Sequence, residues 1–146
     1  MANKRDDGGL SNLMSAMDRV KKAPRKQIAK ALLASANELA DAQKHLARTS
    51  RDTGALIDSI AVTGPGEATP AYSQPGGSRV AGEREVIVTA GNSDVRYAHL
   101  VEFGTSKAEA QPFFWPALRL LRKRLQSRID RVGRKAVRDA WDGKND

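Results

Sequence analysis

The sequence predicts an α+β fold with a long N-terminal helix, a small mainly antiparallel sheet with a long loop, and a long C-terminal helix packed on the sheet. Three observations support this prediction. Apolar residues recur at helical spacing early and late in the chain, two short runs rich in β-branched residues lie between them, and a Gly- and Pro-rich stretch separates those runs. The length of 146 residues fits one domain.

The N-terminal part of the chain is predicted to hold two helices of different length. Residues 1–9 are polar and end in two glycines, which is typical of a mobile arm. Residues 10–20 fit one short helix with an apolar face, and Pro24 then begins a long helix that ends near Arg48. We therefore assign residues 1–23 to an arm and short helix. The apolar face of the short helix consists of Leu10, Leu13, Met14 and Met17. The stripe of the long helix consists of Ile28, Leu32, Ser35, Leu39, Ala42 and Leu46, three or four residues apart.

The middle of the chain carries the predicted strands. Residues 52–54 (Asp-Thr-Gly) form a turn and a possible helix cap, and residues 55–59 are expected to make one helical turn. Residues 60–63 and 85–90 are predicted strands because β-branched side chains dominate them. Two strands alone are marginal. We therefore expect a third strand, either from another segment or from a neighbouring protomer.

The loop between the predicted strands spans residues 64–83 and contains five Gly and three Pro. It shows no apolar periodicity, and structureless loops of this length inside a small domain are usually functional or disordered. We expect it to have little structure of its own, to be mobile in the free protein and to become ordered on docking.

The segment after the second strand has two interpretations. Asp94 can cap a short helix that Gly104 ends, with Tyr97 on its apolar face. Alternatively, Tyr97 and Phe103 lie on one face of a strand. Periodicity alone leaves both interpretations open.

Pro112 and Pro116 mark the start of the last predicted helix, which ends near Trp141. We therefore assign residues 24–141 to a single domain and residues 142–146 to a tail. Its apolar stripe consists of Leu118, Leu121, Leu125, Val132, Ala136 and Ala140. Residues 116–141 also carry nine basic and two acidic side chains, whereas residues 50–115 are net acidic. The basic surface is open to three interpretations: a solvated helix face, a contact with acidic neighbouring subunits, or a contact with DNA phosphates.

Composition argues against several classes of protein. The chain has no Cys and two His, which excludes disulfides, thiolate zinc sites and multi-His metal sites within one chain. It has no apolar run long enough to cross a membrane, and its first residues lack an apolar signal core. Leu, Ile, Val and Phe together make up just under a fifth of the residues. We expect so thin a core to gain stability by burying surface against partners.

We predict no catalytic, cofactor-binding or metal-binding residues. His99 and Glu102 are three residues apart and could share a helix face, but a metal ion needs more ligands than these two. No Ser nucleophile or second carboxylate has recognisable catalytic spacing. We expect Glu102 to pair with an arginine of the last helix, and His99 to lie at a surface or interface.

An aromatic cluster precedes the last helix. Phe113, Phe114 and Trp115 are three of the seven aromatic residues of the chain. They either pack in the core or anchor the chain to another subunit, because aromatic side chains are enriched at both places.

Three motifs occur in order: TGALIDSI at residues 53–60, YAHLVEFGT at residues 97–105 and PFFWPAL at residues 112–118. Together they resemble the tail-component family of long-tailed, siphovirus-type phages and prophages. The resemblance covers roughly residues 25–140, without the loop at 64–83. It implies a structural virion protein, not an enzyme, in a head–tail joining, neck or tail-completion role.

The resemblance further implies a homo-oligomeric ring of sixfold or twelvefold symmetry around the DNA channel. Its partners would be neighbouring head-completion and tail-tube or tail-terminator proteins, with DNA passing through the lumen and no membrane. The protein would reside in the host cytoplasm before assembly and at the head–tail junction of the virion afterwards. The alternative is a small basic nucleic-acid-binding protein. The interface candidates are Tyr97, Glu102, Phe103, Phe113, Phe114, Trp115, Arg128, Arg131 and Lys135.

Overall fold

The computed structural model describes residues 8–22, 24–48 and 54–144. It confirms the predicted α+β class. The elements in chain order are helices α1 (Leu10–Lys22), α2 (Pro24–Ala47) and α3 (Ala55–Asp58), strands β1 (Ala61–Thr63) and β2 (Ile87–Thr89), and helices α4 (Ala98–Phe103) and α5 (Phe114–Trp141). The possible cap at Asp52 and Thr53 lies outside the described residues.

The two long helices, α2 and α5, form the main helix–helix contact. Leu39 of α2 and Leu125 of α5 are buried in a shared cluster around Ala117, whose small side chain lets the helices approach closely. On the rim of this contact, the carboxylate of Glu38 pairs with Arg124 at 3.1 Å and with Arg128 at 2.6 Å. The helical stripes predicted from the sequence are thus the surfaces that pack.

The sheet is a two-stranded antiparallel pair with Val62 opposite Val88. Both strands are shorter than predicted. At one end the N–H of Gly64 donates to the Glu67 carboxylate at 3.0 Å, which turns the chain away from β2. At the other end Ala90 forms an isolated bridge with Gln74. In the described residues no third strand joins the sheet, so the expectation of one from another described segment is wrong, and a strand from a neighbouring protomer stays a prediction.

A second core cluster packs against the sheet and stabilises it in place of a third strand. It combines Leu56 of α3, Ile60, Val95 and the aromatic rings of Phe113 and Phe114. Leu56 and Ile60 come together as the one-turn helix predicts. The sheet is therefore stabilised by packing on helices and not by additional strands.

The loop at residues 64–83 has structure of its own, contrary to expectation. Ala68 and Val80 form an antiparallel bridge, and the buried Thr69 accepts a hydrogen bond from the N–H of Arg79 at 2.8 Å through its Oγ1. Apolar periodicity could not reveal this organisation, because polar hydrogen bonds hold the loop together.

An exposed ion pair links the loop to the segment before β2. Arg79 pairs with Glu85 at 2.8 Å. Hydrogen bonds to the Glu85 carboxylate lower its pKa from the ordinary value of 4.5. The larger effect comes from the Arg79 side chain and the smaller from the N–H of Gly82. The interaction of the Glu85 carboxylate with Arg79 therefore contributes to folding stability above pH 4.5, and this stability is lost as the pH falls through the lowered pKa of Glu85.

Helix α4 settles the interpretation of residues 94–104. The segment is a helix, so the strand interpretation is wrong, and the helix starts after Tyr97 rather than at an Asp94 cap. Asn92 instead accepts hydrogen bonds from the N–H groups of Asp94 and Val95 through its side chain. Gly104 ends α4 at φ 77°, where a Cβ would stand 2.7 Å from the N of Ala110, so glycine is required there.

Helix α1 packs against the C-terminal end of α5. The Arg19 guanidinium donates hydrogen bonds to the carbonyl oxygens of Ala140 at 3.0 Å and Trp141 at 3.2 Å. These carbonyls belong to the last turn of α5, beyond which the helix offers no regular N–H partners, and that of Ala140 also accepts a hydrogen bond from the N–H of Gly143 at 3.3 Å. The short N-terminal helix is thereby fixed at one end of the molecule.

We expect Leu56→Ala to destabilise the protein by about 2–5 kcal/mol, because Leu56 is fully buried in the cluster that supports the sheet. The matched control is Leu120→Ala on the exposed side of α5, which we expect to change the free energy of unfolding by less than about 0.5 kcal/mol. Urea unfolding measures both. Equal effects of the two substitutions would contradict the assignment of the core.

Candidate docking surfaces

Glu102 on α4 is a buried capping group for α5. Its Oε2 accepts hydrogen bonds from the backbone N–H groups of Phe113 at 2.8 Å and Phe114 at 2.9 Å, and its Oε1 accepts one from Trp115 at 3.1 Å. The first N–H groups of a helix lack partners within it, and the positive end of the helix dipole favours a carboxylate there.

This position corrects two expectations about Glu102. Among the described residues it forms no ion pair with an arginine of the last helix, and its two carboxylate oxygens accept backbone hydrogen bonds instead. Its side chain is also unavailable as an interface contact, since only 6% of the residue is exposed. Apolar spacing did not reveal this position, because Glu102 shares the buried face of α4 with the small residue Ala98, which is a weak apolar signal.

The aromatic cluster divides between the core and the surface. Phe113 and Phe114 are 1% and 8% exposed and belong to the core cluster, so the core interpretation holds for these two residues. Trp115 is 37% exposed, and its ring stands edge-on to Phe114 at a centroid distance of 5.1 Å. The Glu102 cap fixes this division, because it sets the rotation of the first turn of α5.

Trp115 belongs to an exposed apolar surface where α4 meets the start of α5. We call it the corner patch, formed by Leu100, Phe103 and Trp115. Phe103 is 70% exposed, which is unusual for an aromatic side chain. Phe103, Trp115 and the exposed His99 also line a small cavity of about 170 Å³. Tyr97 lies beneath, half-buried against the core cluster.

A second apolar surface lies at the opposite end of α5. We call it the α1 face, formed by Leu10, Leu13, Met14 and Met17, all of which are exposed. Val137 and Trp141 near the end of α5 are exposed as well, and they line a groove together with Val20 and Ile28. The sequence predicted the helical stripe of α1, but we did not count it among the interface candidates.

The three basic interface candidates have different surroundings. Arg128 pairs with Glu38 inside the molecule, with both side chains 25% exposed, and is therefore engaged in the contact between α2 and α5. Lys135 pairs with Asp139 one turn along α5 at 3.7 Å. Arg131 is exposed and has no ion-pair partner within the described part of the chain.

The described residues hold no group of three or more His, Asp or Glu side chains placed to bind a metal ion. In the same part of the chain, no helix has both the length and the apolar composition needed to cross a membrane. The surfaces described above are apolar or basic and suit macromolecular contacts.

Comparison with known proteins identifies one family. Residues 11–104 match the HK97-gp10-like family model, described as "Bacteriophage HK97-gp10, putative tail-component". No curated protein and no solved structure matches the chain. The matched range starts earlier than the 25–140 expected from the motifs, includes the loop at 64–83 and ends at Gly104, before the aromatic cluster and α5.

We expect Glu102→Gln to destabilise the protein by about 1–3 kcal/mol, because the amide NH₂ that replaces one oxygen cannot accept a hydrogen bond and leaves a backbone N–H of α5 unpaired. The exposed Glu109→Gln removes the same charge and should cost less than about 0.5 kcal/mol. Urea unfolding of both variants is the measurement. The capping role is wrong if the two variants are equally stable.

Proposed function

Since the chain belongs to the HK97-gp10-like family of phage tail components, we propose that it acts at the head–tail junction, where a ring of copies joins the tail to the DNA-filled head. Membership in this family makes the protein a structural component of the virion. Our proposal adds two points to this family role: the position at the head–tail junction and the assembly into a ring.

The observation that carries the proposal is the placement of two different exposed apolar surfaces at opposite ends of one rigid helix. The corner patch includes Trp115 in the first turn of α5, and the α1 face belongs to the helix whose Arg19 binds the carbonyl oxygen of Trp141 at the other end. At 1.5 Å per residue, the two tryptophans lie about 39 Å apart along α5. A monomeric protein of this size rarely exposes so many large apolar side chains without a partner.

Two unlike surfaces at opposite ends favour head-to-tail contacts between copies. A contact that joins a surface to a copy of itself gives a closed dimer, whereas a contact between two different surfaces gives a ring when the rotation closes. We propose a ring of sixfold or twelvefold symmetry, as implied by the resemblance of the motifs.

In this proposal the protein acts by binding, with no catalytic step. The ring contacts head-completion proteins on one side and tail-tube or tail-terminator proteins on the other, and DNA passes through its lumen. Surfaces that the ring contacts leave uncovered are available for these neighbours.

The test is Phe103→Gln, which removes the most exposed aromatic ring of the corner patch without opening the core. In a phage or prophage that lacks its own copy of the gene, we expect the variant to lower the yield of infectious particles at least about tenfold, with unjoined heads and tails visible by electron microscopy. Its thermal stability should stay within about 0.5 kcal/mol of the unmodified protein, because an exposed side chain contributes little to folding.

The matched control is Leu33→Gln on α2, which also replaces a large exposed apolar side chain and lies outside both surfaces. We expect normal particle yields from it. A Phe103→Gln variant that joins heads to tails as well as the control does would contradict the proposed role of the corner patch.

A further inference from the structure

The basic side chains of α5 fall into two groups once their ion pairs are known. Arg124 and Arg128 pair with Glu38, and Lys135 pairs with Asp139. A further set is exposed and has no ion-pair partner among residues 8–22, 24–48 and 54–144. We call four of these the basic face: Lys123, Arg131, Arg134 and Arg138.

The four residues of the basic face point in nearly the same direction. With 3.6 residues per turn, their positions fall within about 80° of one another around α5, on the side opposite the buried stripe. Between Lys123 and Arg138 they extend over about 22 Å of the helix. A single straight helix thus presents a row of cations long enough to meet several phosphates of one duplex.

The basic face has no apolar side chain at its centre, and the exposed Leu120 and Val137 lie near its two ends. A stable protein contact needs an apolar centre. Between Lys123 and Arg138, the uncharged Ser127 lies on the same side of α5 as the four cations, and the acidic Asp130 lies at the edge of that side. The cores of protein interfaces are depleted in charge and rich in aromatic side chains. In this chain such side chains are exposed at the two ends of α5, in the corner patch and beside the α1 face. The basic face is therefore suited to a partner that offers charge without an apolar surface.

We propose that the basic face of α5 binds the phosphate backbone of double-stranded DNA without reading its sequence. This inference rests on the proposed function, which brings duplex DNA to the protein. Cationic side chains displace the counterions condensed on DNA, so the affinity follows the number of phosphates contacted and falls steeply with salt. Repetition of the face around a ring multiplies these contacts by the number of copies.

The experiment measures binding of the purified full-length protein to a fluorescent 30-base-pair duplex of arbitrary sequence, over a range from 50 to 200 mM salt. The test variant carries Lys123→Gln, Arg131→Gln, Arg134→Gln and Arg138→Gln, which keep the helix propensity of α5 high. We expect affinity at 50 mM salt to fall at least about tenfold and the salt slope to flatten by up to about 3.6, or 0.9 for each lost phosphate contact.

The matched control removes four positive charges elsewhere, through Arg25→Gln, Lys30→Gln, Arg48→Gln and Lys107→Gln, all at exposed positions. We expect it to change the slope by less than about one unit. A third variant, with Arg131→Lys, Arg134→Lys and Arg138→Lys, keeps the charge and should keep the binding. Circular dichroism and thermal melting verify that all variants are folded.

Three outcomes would overturn the inference. The first is an unmodified protein that shows no salt-dependent DNA binding, and the second is an equal loss of binding in the test and control variants. The third is a test variant that keeps DNA binding but fails to enter particles. The last outcome would assign the basic face to an acidic protein partner, which is the competing occupant because Arg134 and Arg138 also border the groove beside Trp141. Each of these outcomes leaves the Phe103→Gln result unaffected, so the proposed function is judged separately.

Discussion

The carboxylate of Glu102 holds the first turn of α5 against α4 through three backbone hydrogen bonds. These bonds fix both the position and the rotation of a 28-residue helix. Because the rotation is fixed, Phe113 and Phe114 point into the core and Trp115 remains at the surface beside Phe103. The same helix packs against α2 along its length. At its far end, its carbonyl groups accept the hydrogen bonds of Arg19 from α1. The division of the aromatic cluster between core and surface therefore depends on one buried acidic side chain, together with the packing of α5 on α2.

Periodicity in the sequence was sufficient to predict the long helices α2 and α5 but not the short helix α4 or the cap of α5. The stripes of α2 and α5 repeat over several turns, so their directions could be predicted from spacing alone. The α5 cap comes from a residue 11 to 13 positions earlier, across a turn, whereas capping rules describe side chains within the same first turn. Glu102 was therefore expected to pair with an arginine of the last helix and was counted as an interface candidate. The aromatic cluster could not be divided between core and interface without knowing the rotation of α5.

The sheet and its loop show a different limit of sequence analysis. The strands end where Gly64 bonds to Glu67 and where Ala90 pairs with Gln74, and neither contact leaves a signal in apolar patterning. The loop is organised by Thr69, a polar residue that is buried because its hydroxyl and N–H both bond to Arg79. Gly and Pro content predicts where a chain turns, but it does not predict whether polar groups within the loop find partners.

The thin core and the exposed surfaces have a common cause in the composition. With few large apolar residues available, those exposed on α1 and at the corner patch are a substantial part of the total supply. A chain selected for stability as a monomer would bury them, since each large apolar side chain contributes about 1.5–3 kcal/mol when it is fully buried. Their position at the two ends of α5, with charge along its outer side, is what the proposed ring requires, because contacts between copies would bury them. In that proposal, helix α5 would set the distance between the two contacts, and its charged side would remain open to a polyanion.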